Sequence, residues 1–197
     1  MCHTAAVTVD TLQTQQQLIV RQRVRLMVNQ YEVHAVGADG SEAGVLAFAQ
    51  QKRMAFKEQV TFFADETRSR PVFGFKARAV MDLNAGYDIT DEGGAQIGFF
   101  RKDFGASLLR STFHLEGPGY TGTGRERNQV AGLLRRFTDL DFIPIHFDFV
   151  DAEGQPLLSV ERKMSIGDRY RVTVPDQRVD FRVAAAVAVG LDALMAR

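Results

Sequence analysis

The chain has 197 residues, in which 24 lysines and arginines balance 24 aspartates and glutamates. A formal net charge of zero excludes bulk attraction to nucleic acid or to an anionic bilayer, so any such affinity must come from a local patch. The single cysteine, Cys2, excludes an intrachain disulfide and a cysteine-based zinc site, and no run approaches the ~18 apolar residues of a transmembrane helix.

Residues 1–17, MCHTAAVTVDTLQTQQQ, carry neither the basic start nor the apolar run of a signal peptide, and read as a flexible tail. A cytoplasmic location is therefore expected, peripheral to the membrane if a basic patch forms. One domain is expected over 18–197. From Leu18 the pattern is strand-like: Leu18, Val20, Val24 and Leu26 fall on one face, and Arg21, Arg23 and Arg25 on the other. YEVHAV, an Asp39-Gly40 turn signal and GVLAFA follow as a hairpin. The same plan recurs in VTFFADE with PVFGFKA, YDITDEGG with AQIGFF, and IHFDFVDAEG with PLLSVE; DRYRVTV closes the series.

Two of these stretches, YDITDEGGAQIGFFRKDFG and FDFVDAEGQPLLSVERKMS, look like copies of one unit, each ending in a basic pair, Arg101-Lys102 and Arg162-Lys163. The series predicts about twelve short strands, and their short turns make them antiparallel neighbours. A sheet apolar on one face must cover it, and closure into a barrel also removes its edges. The segment 179–196 supplies a filling. Val183 to Leu191 is apolar all round, as in a buried helix, and its Ala/Val composition makes it slim enough to thread a barrel. A helix packed on an open sheet is the alternative.

Gly117, Gly119 and Gly122 spell G-x-G-x-x-G, with Asp139 and Asp141 further on, close to a dinucleotide-binding fingerprint. That fingerprint needs a strand feeding a helix in a parallel βαβ unit. Here STFHLE belongs to a hairpin series, and Pro118 removes an amide donor. Residues 117–142 therefore read as a loop and short amphipathic helix between barrel strands, with Val130, Leu133, Leu134 and Phe137 at helical spacing. No cofactor is expected, and a nucleotide-dependent enzyme using the 117–124 loop is the least favoured of three functional readings.

Other chemistry is sparse. His3, His34, His114 and His146 are scattered, with no metal-ligand spacing and no metal expected; His114 and His146 occupy outward-type positions. There is no G-x-S-x-G elbow, and no catalytic residue is assigned. Asp88, Asp91, Glu92, Asp148, Asp151 and Glu153 lie at or beside turns, where acids serve local backbone hydrogen bonds.

The hairpins with basic pairs, the stretch HFDFVDAEGQPLLSVERKMSIGDRYRVTV and the terminal RVAAAVAVGLDAL resemble the LURP-one-related family, of the tubby C-terminal-like superfamily that also contains the phospholipid scramblases. The resemblance runs over roughly 18–196 and is most specific in the last third. It implies a mainly β fold, a twelve-stranded antiparallel closed barrel around a central hydrophobic C-terminal helix. It also implies a barrel that binds rather than catalyses, with anionic phospholipid headgroups as the ligand class. No tubby phosphoinositide motif aligns residue by residue.

The basic residues are the candidates for that role. Arg21, Arg23 and Arg25 project from one strand face about 7 Å apart, Arg101-Lys102 and Arg162-Lys163 follow hairpins, and the inserted helix adds Arg125, Arg127, Arg135 and Arg136. Arginine binds phosphate bidentately and lysine as a point charge. The leading expectation is a non-enzymatic barrel binding an anionic ligand, a phospholipid headgroup or anionic membrane surface, through these residues. The alternative is a protein-interaction scaffold whose helix 126–137 docks a protein partner through Val130, Leu133 and Phe137.

Overall fold

The structure is a computed structural model that describes residues 15–24, 28–52, 59–78, 86–103, 111–127, 146–163 and 169–195. The described chain forms β1 (Gln17–Val24), β2 (Val28–Val36), β3 (Glu42–Lys52), β4 (Gln59–Phe63), β5 (Pro71–Ala77), β6 (Tyr87–Asp91), β7 (Gln96–Asp103), β8 (Thr112–Gly117), β9 (Tyr120–Glu126), β10 (His146–Val150), β11 (Pro156–Lys163), β12 (Arg169–Thr173) and α1 (Phe181–Met195). Each strand pairs antiparallel with the next, and β1 closes on β12, so order round the barrel is sequence order. The fold is thus the expected closed barrel of twelve antiparallel strands with one C-terminal helix.

Period-two alternation decides which side chains face in. Leu18 and Val20, Tyr31 and Val33, Phe73 and Phe75, Phe147 and Phe149, and Tyr170 and Val172 all belong to one buried core. Many wall residues are large: Phe62 stacks on Phe73 at 4.2 Å between centroids, Tyr87 on Phe100 at 5.1 Å, and Phe113 meets Phe147 edge-on at 5.3 Å. Bulky walls leave a narrow lumen, and α1 fits it because Ala184, Ala185, Ala186 and Ala188 present almost no side chain. From Val183 to Val189 no residue of α1 is more than 1% exposed, so wall surrounds it and the open-sheet alternative falls.

Two glycines permit the closest approaches. A Cβ on Gly98 of β7 would lie 2.8 Å from Val183, and one on Gly190 of α1 would lie 2.5 Å from the Phe100 ring. Gly98→Val should therefore cost about 1–3 kcal/mol by overpacking. Chemical denaturation checks this, and a midpoint equal to wild type would show that the helix simply shifts.

α1 is capped at both ends. The Asp180 carboxylate accepts from Arg182 N at 2.8 Å, and its backbone carbonyl accepts from Ala184 N at 3.1 Å, which makes it the N-cap. The same carboxylate grips the Arg182 guanidinium at 2.7 Å. At the far end Lys102 Nζ donates to the Leu194 carbonyl at 3.5 Å, placing a cation at the negative end of the helix dipole. Beside it Asp192 accepts from Tyr31 Oη at 2.8 Å and from Tyr170 Oη, forming a buried polar plug in the barrel mouth.

The β6–β7 and β10–β11 turns have one geometry. Ala95 N and Gln155 N donate to the carboxylates of Asp91 and Asp151 at 2.9 and 2.7 Å. Gly94 and Gly154 have φ of 84° and 79°, a left-handed conformation that disfavours side chains. Asp91 and Asp151 thus serve their turns as the sequence suggested. Asp88 and Asp148 do not: they sit within strands and pair with Arg78 at 2.8 Å and Arg127 at 2.7 Å.

The expected loop over 117–142 needs correction. Residues 120–126 form β9, hairpin-paired to β8, so the glycine motif opens no helix. Gly119 makes the turn with φ 78°, while a Cβ on Gly117 would strike the Tyr120 ring and one on Gly122 would strike Leu157 at 2.5 Å. These glycines admit neighbouring side chains. Residues 128–145, with Val130, Leu133, Leu134, Phe137 and the remainder of the expected helix, lie outside the described residues.

Candidate functional site: an arginine groove at the barrel seam

The first and last strands meet at the seam. On β1 the inward Leu18 and Val20 leave Arg21 and Arg23 pointing out, and on β12 the inward Tyr170 and Val172 do the same for Arg169 and Arg171. The register sets Arg21 directly opposite Arg169, and Ile19 opposite Arg171. Like charges directly opposite on antiparallel strands are destabilising. A carboxylate from elsewhere relieves this pair. Glu42, the first residue of β3, places Oε1 3.1 Å from Arg169 Nε and Oε2 3.8 Å from Arg21 Nη1.

The β2–β3 turn forms the rim. Asp39 accepts from Ser41 Oγ at 2.6 Å and Ser41 N at 3.0 Å, and these bonds hold its carboxyl below the usual carboxylate range. Arg171 Nη2 donates to the Gly40 carbonyl at 3.0 Å. Its Nε is buried without a hydrogen-bond partner among the described residues. Between rim and strands lies a groove of about 400 Å³ lined by Ile19, Gly40, Ser41, Glu42, Arg169 and Arg171. Higher on the same face Arg23 pairs with Glu32 at 2.9 Å, and Glu32, only 2% exposed, also meets His34 Nε2 at 3.2 Å.

Two guanidiniums and one carboxylate in the lining of the groove, with Arg21 drawn to the same carboxylate, suit recognition of an anion. Ser41 is the hydroxyl in the lining, and it is committed to Asp39. Among the described residues no cluster of three or more potential metal ligands occurs.

Of the other sequence candidates, Arg101, Lys102, Arg125, Arg127 and Arg162 do not line this groove. Arg101 points outward on β7, six strands round the barrel from β1, and its neighbour Lys102 points inward to α1. Arg162 also has inward parity, level with Tyr170, while Lys163 is in register with Arg169 and its side chain lies outside the described residues. Arg125 and Arg127 lie on and just after β9, four strands from β1, with Arg127 held by Asp148. Arg25, Arg135 and Arg136 lie outside the described residues. His114 and His146 sit on the outer face, their Nε2 atoms 3.1 Å from Asp103 and 3.0 Å from Glu161. Sequence reasoning missed Arg169, Arg171 and Glu42. Alternation in DRYRVTV was the available signal for the two arginines.

The Arg127–Asp148 pair makes a pH-dependent contribution. Hydrogen bonds from Arg127, with a further one from Ser159 at 3.0 Å, hold the Asp148 carboxyl below its ordinary range. A depressed folded-state pKa gives stability that is present above the unfolded value and lost as pH falls through the folded one. Asp148→Asn should therefore lower stability at neutral pH by up to about 1 kcal/mol, since the pair is partly exposed. Urea midpoints of the two proteins should converge in strong acid; a gap that persists there would rule this account out.

No curated protein matches the chain in sequence. Among solved structures, a porin-like protein from Bacteroides uniformis is similar over 80% of this chain and 96% of its own, at 6% identity and a TM-score of 0.22. No helix among the described residues is long and apolar enough to cross a membrane. The match to the LURP-one-related family extends from Val45 in β3 to Asp192 in the mouth of the barrel, spanning most of the wall and nearly all of the threaded helix, and on that match the chain belongs to the LURP-one-related family.

Proposed function

We propose that this barrel is a non-enzymatic binding protein whose seam groove takes an anionic ligand, a phospholipid headgroup at an anionic membrane surface. The observation that carries the reading is the placing of Arg21, Arg169 and Arg171 on the paired strands β1 and β12 about Glu42, with Arg169 and Arg171 lining a groove, in a chain of zero net charge. Overall charge would not concentrate the protein on an anionic leaflet, so the local cluster must do so. Each cation near such a surface contributes about 1 kcal/mol. The family membership fits a barrel that binds.

Co-sedimentation at low salt with phosphatidylcholine vesicles, with and without phosphoinositide, tests the reading. Wild type should pellet only with the anionic vesicles. Neutralising two cations, Arg169→Gln with Arg171→Gln, should weaken that binding about thirtyfold, at about 1 kcal/mol each. Equal sedimentation with both vesicle types would overturn the reading.

A further inference from the structure

We infer that Glu42 is a built-in competitor for the ligand of the seam groove, its carboxylate standing where a phosphomonoester dianion binds. The inference rests on the anion-binding reading above and adds the charge of the ligand and the way its access is controlled.

Three observations carry it. The Arg21–Arg169 pair is a like-charge cross-strand pair, and Glu42 bridges it with one oxygen toward each guanidinium. The bridge is imperfect: Glu42 Oε1 is buried and, although 3.1 Å from Arg169 Nε, accepts no hydrogen bond of good geometry among the described residues. In the same lining Arg171 Nε is buried and has no partner among the described residues. Buried polar atoms are nearly always satisfied, so an unpartnered donor beside an incompletely satisfied acceptor leaves the groove open to a further hydrogen-bonding group. The Glu42 carboxylate reaches Arg169 and Arg21, whereas the three terminal oxygens of a phosphomonoester offer more acceptor sites, spread tetrahedrally, for three guanidiniums.

The charges agree. With Glu42 turned away, Arg21, Arg169 and Arg171 present three positive charges, which a phosphomonoester at about −1.5 to −2 offsets more fully than the single charge of Glu42 does. A phosphodiester carries a single negative charge, no more than the carboxylate it would displace. Glu42 begins β3 beside the exposed turn residue Ser41, with side-chain torsions free to turn it toward solvent as the dianion enters. Resting, it offsets one of the three charges; displaced, it leaves the groove to the ligand.

The test measures dissociation constants of wild type, Glu42→Gln and Glu42→Ala for inositol trisphosphate and for glycerophosphoinositol, a diester. A parallel arm uses phosphatidylcholine vesicles carrying phosphatidylinositol phosphate or phosphatidylinositol. Both variants should bind the monoester probes roughly three- to tenfold more tightly than wild type, the worth of one or two half-exposed ion pairs. Without ligand they should melt below wild type, and inositol trisphosphate should stabilise them more. A gain with inositol trisphosphate alone marks a soluble ligand, and a gain with vesicles marks a lipid; either supports the competition. Monoester binding equal in all three proteins would overturn the inference and leave the anion-binding reading standing. No binding of any probe by any of the three would overturn both.

Discussion

Ala186→Arg is expected to unfold the protein. Ala186 is fully buried at the centre of α1, between Ala185 and Val187, which are equally enclosed. Because wall surrounds the helix, no rotation of α1 carries position 186 to water. An arginine there would be a buried charge with no partner, which costs several kcal/mol even after relaxation. Domains are stable by about 5–15 kcal/mol in total, so most of the folded population should be lost. The same holds for arginine at Ala184, Ala185, Val187 or Ala188. Thermal melts of these variants are the check, and one of the five melting near wild type would show that the helix has an open side.

The second large effect is expected at the barrel mouth. Asp192 accepts hydrogen bonds from two buried tyrosines of β2 and β12, and Gln22 Nε2 approaches Tyr31 Oη at 3.4 Å. Asp192→Ala removes the carboxylate to which both tyrosine hydroxyls donate. At about 1–3 kcal/mol for each hydrogen bond lost at a buried polar group, the loss should be about 2–6 kcal/mol. Tyr31→Phe in the Asp192→Ala background should recover part of it, because one of the two hydroxyls that lost this acceptor disappears. Denaturant midpoints of the four proteins of this cycle measure the coupling. Additive effects of the two changes would mean that the plug does not act as a unit.

The barrel and its filling were legible because their signals are local. Alternation assigns a face to each residue of β1 or β10 from its neighbours alone, and all-round apolarity marks α1 without reference to any strand. β9 was missed because its inward positions include Gly122 and Gly124. The reason those are glycine lies elsewhere: Leu157 of β11 and the Phe149 ring of β10 fill the space. The basic pairs misled for a simpler reason. Consecutive strand residues point to opposite faces, so Arg101 and Lys102 cannot share a surface, and Lys102 serves the helix. The seam site depends on register between strands at the two ends of the fold and on a carboxylate from a third strand. No window of sequence contains that information.

The position of α1 in the chain has a consequence for biosynthesis. The residues that fill the lumen follow all twelve strands that surround it. During translation the wall emerges first, with Phe62, Phe75, Phe100 and Phe113 facing a space that nothing yet occupies. The strand that completes the ring, β12, pairs with β1 and directly precedes the helix. Stable closure must therefore wait until residues 169–195 have left the ribosome, and the nascent wall depends on chaperones or on speed to avoid associating with other chains.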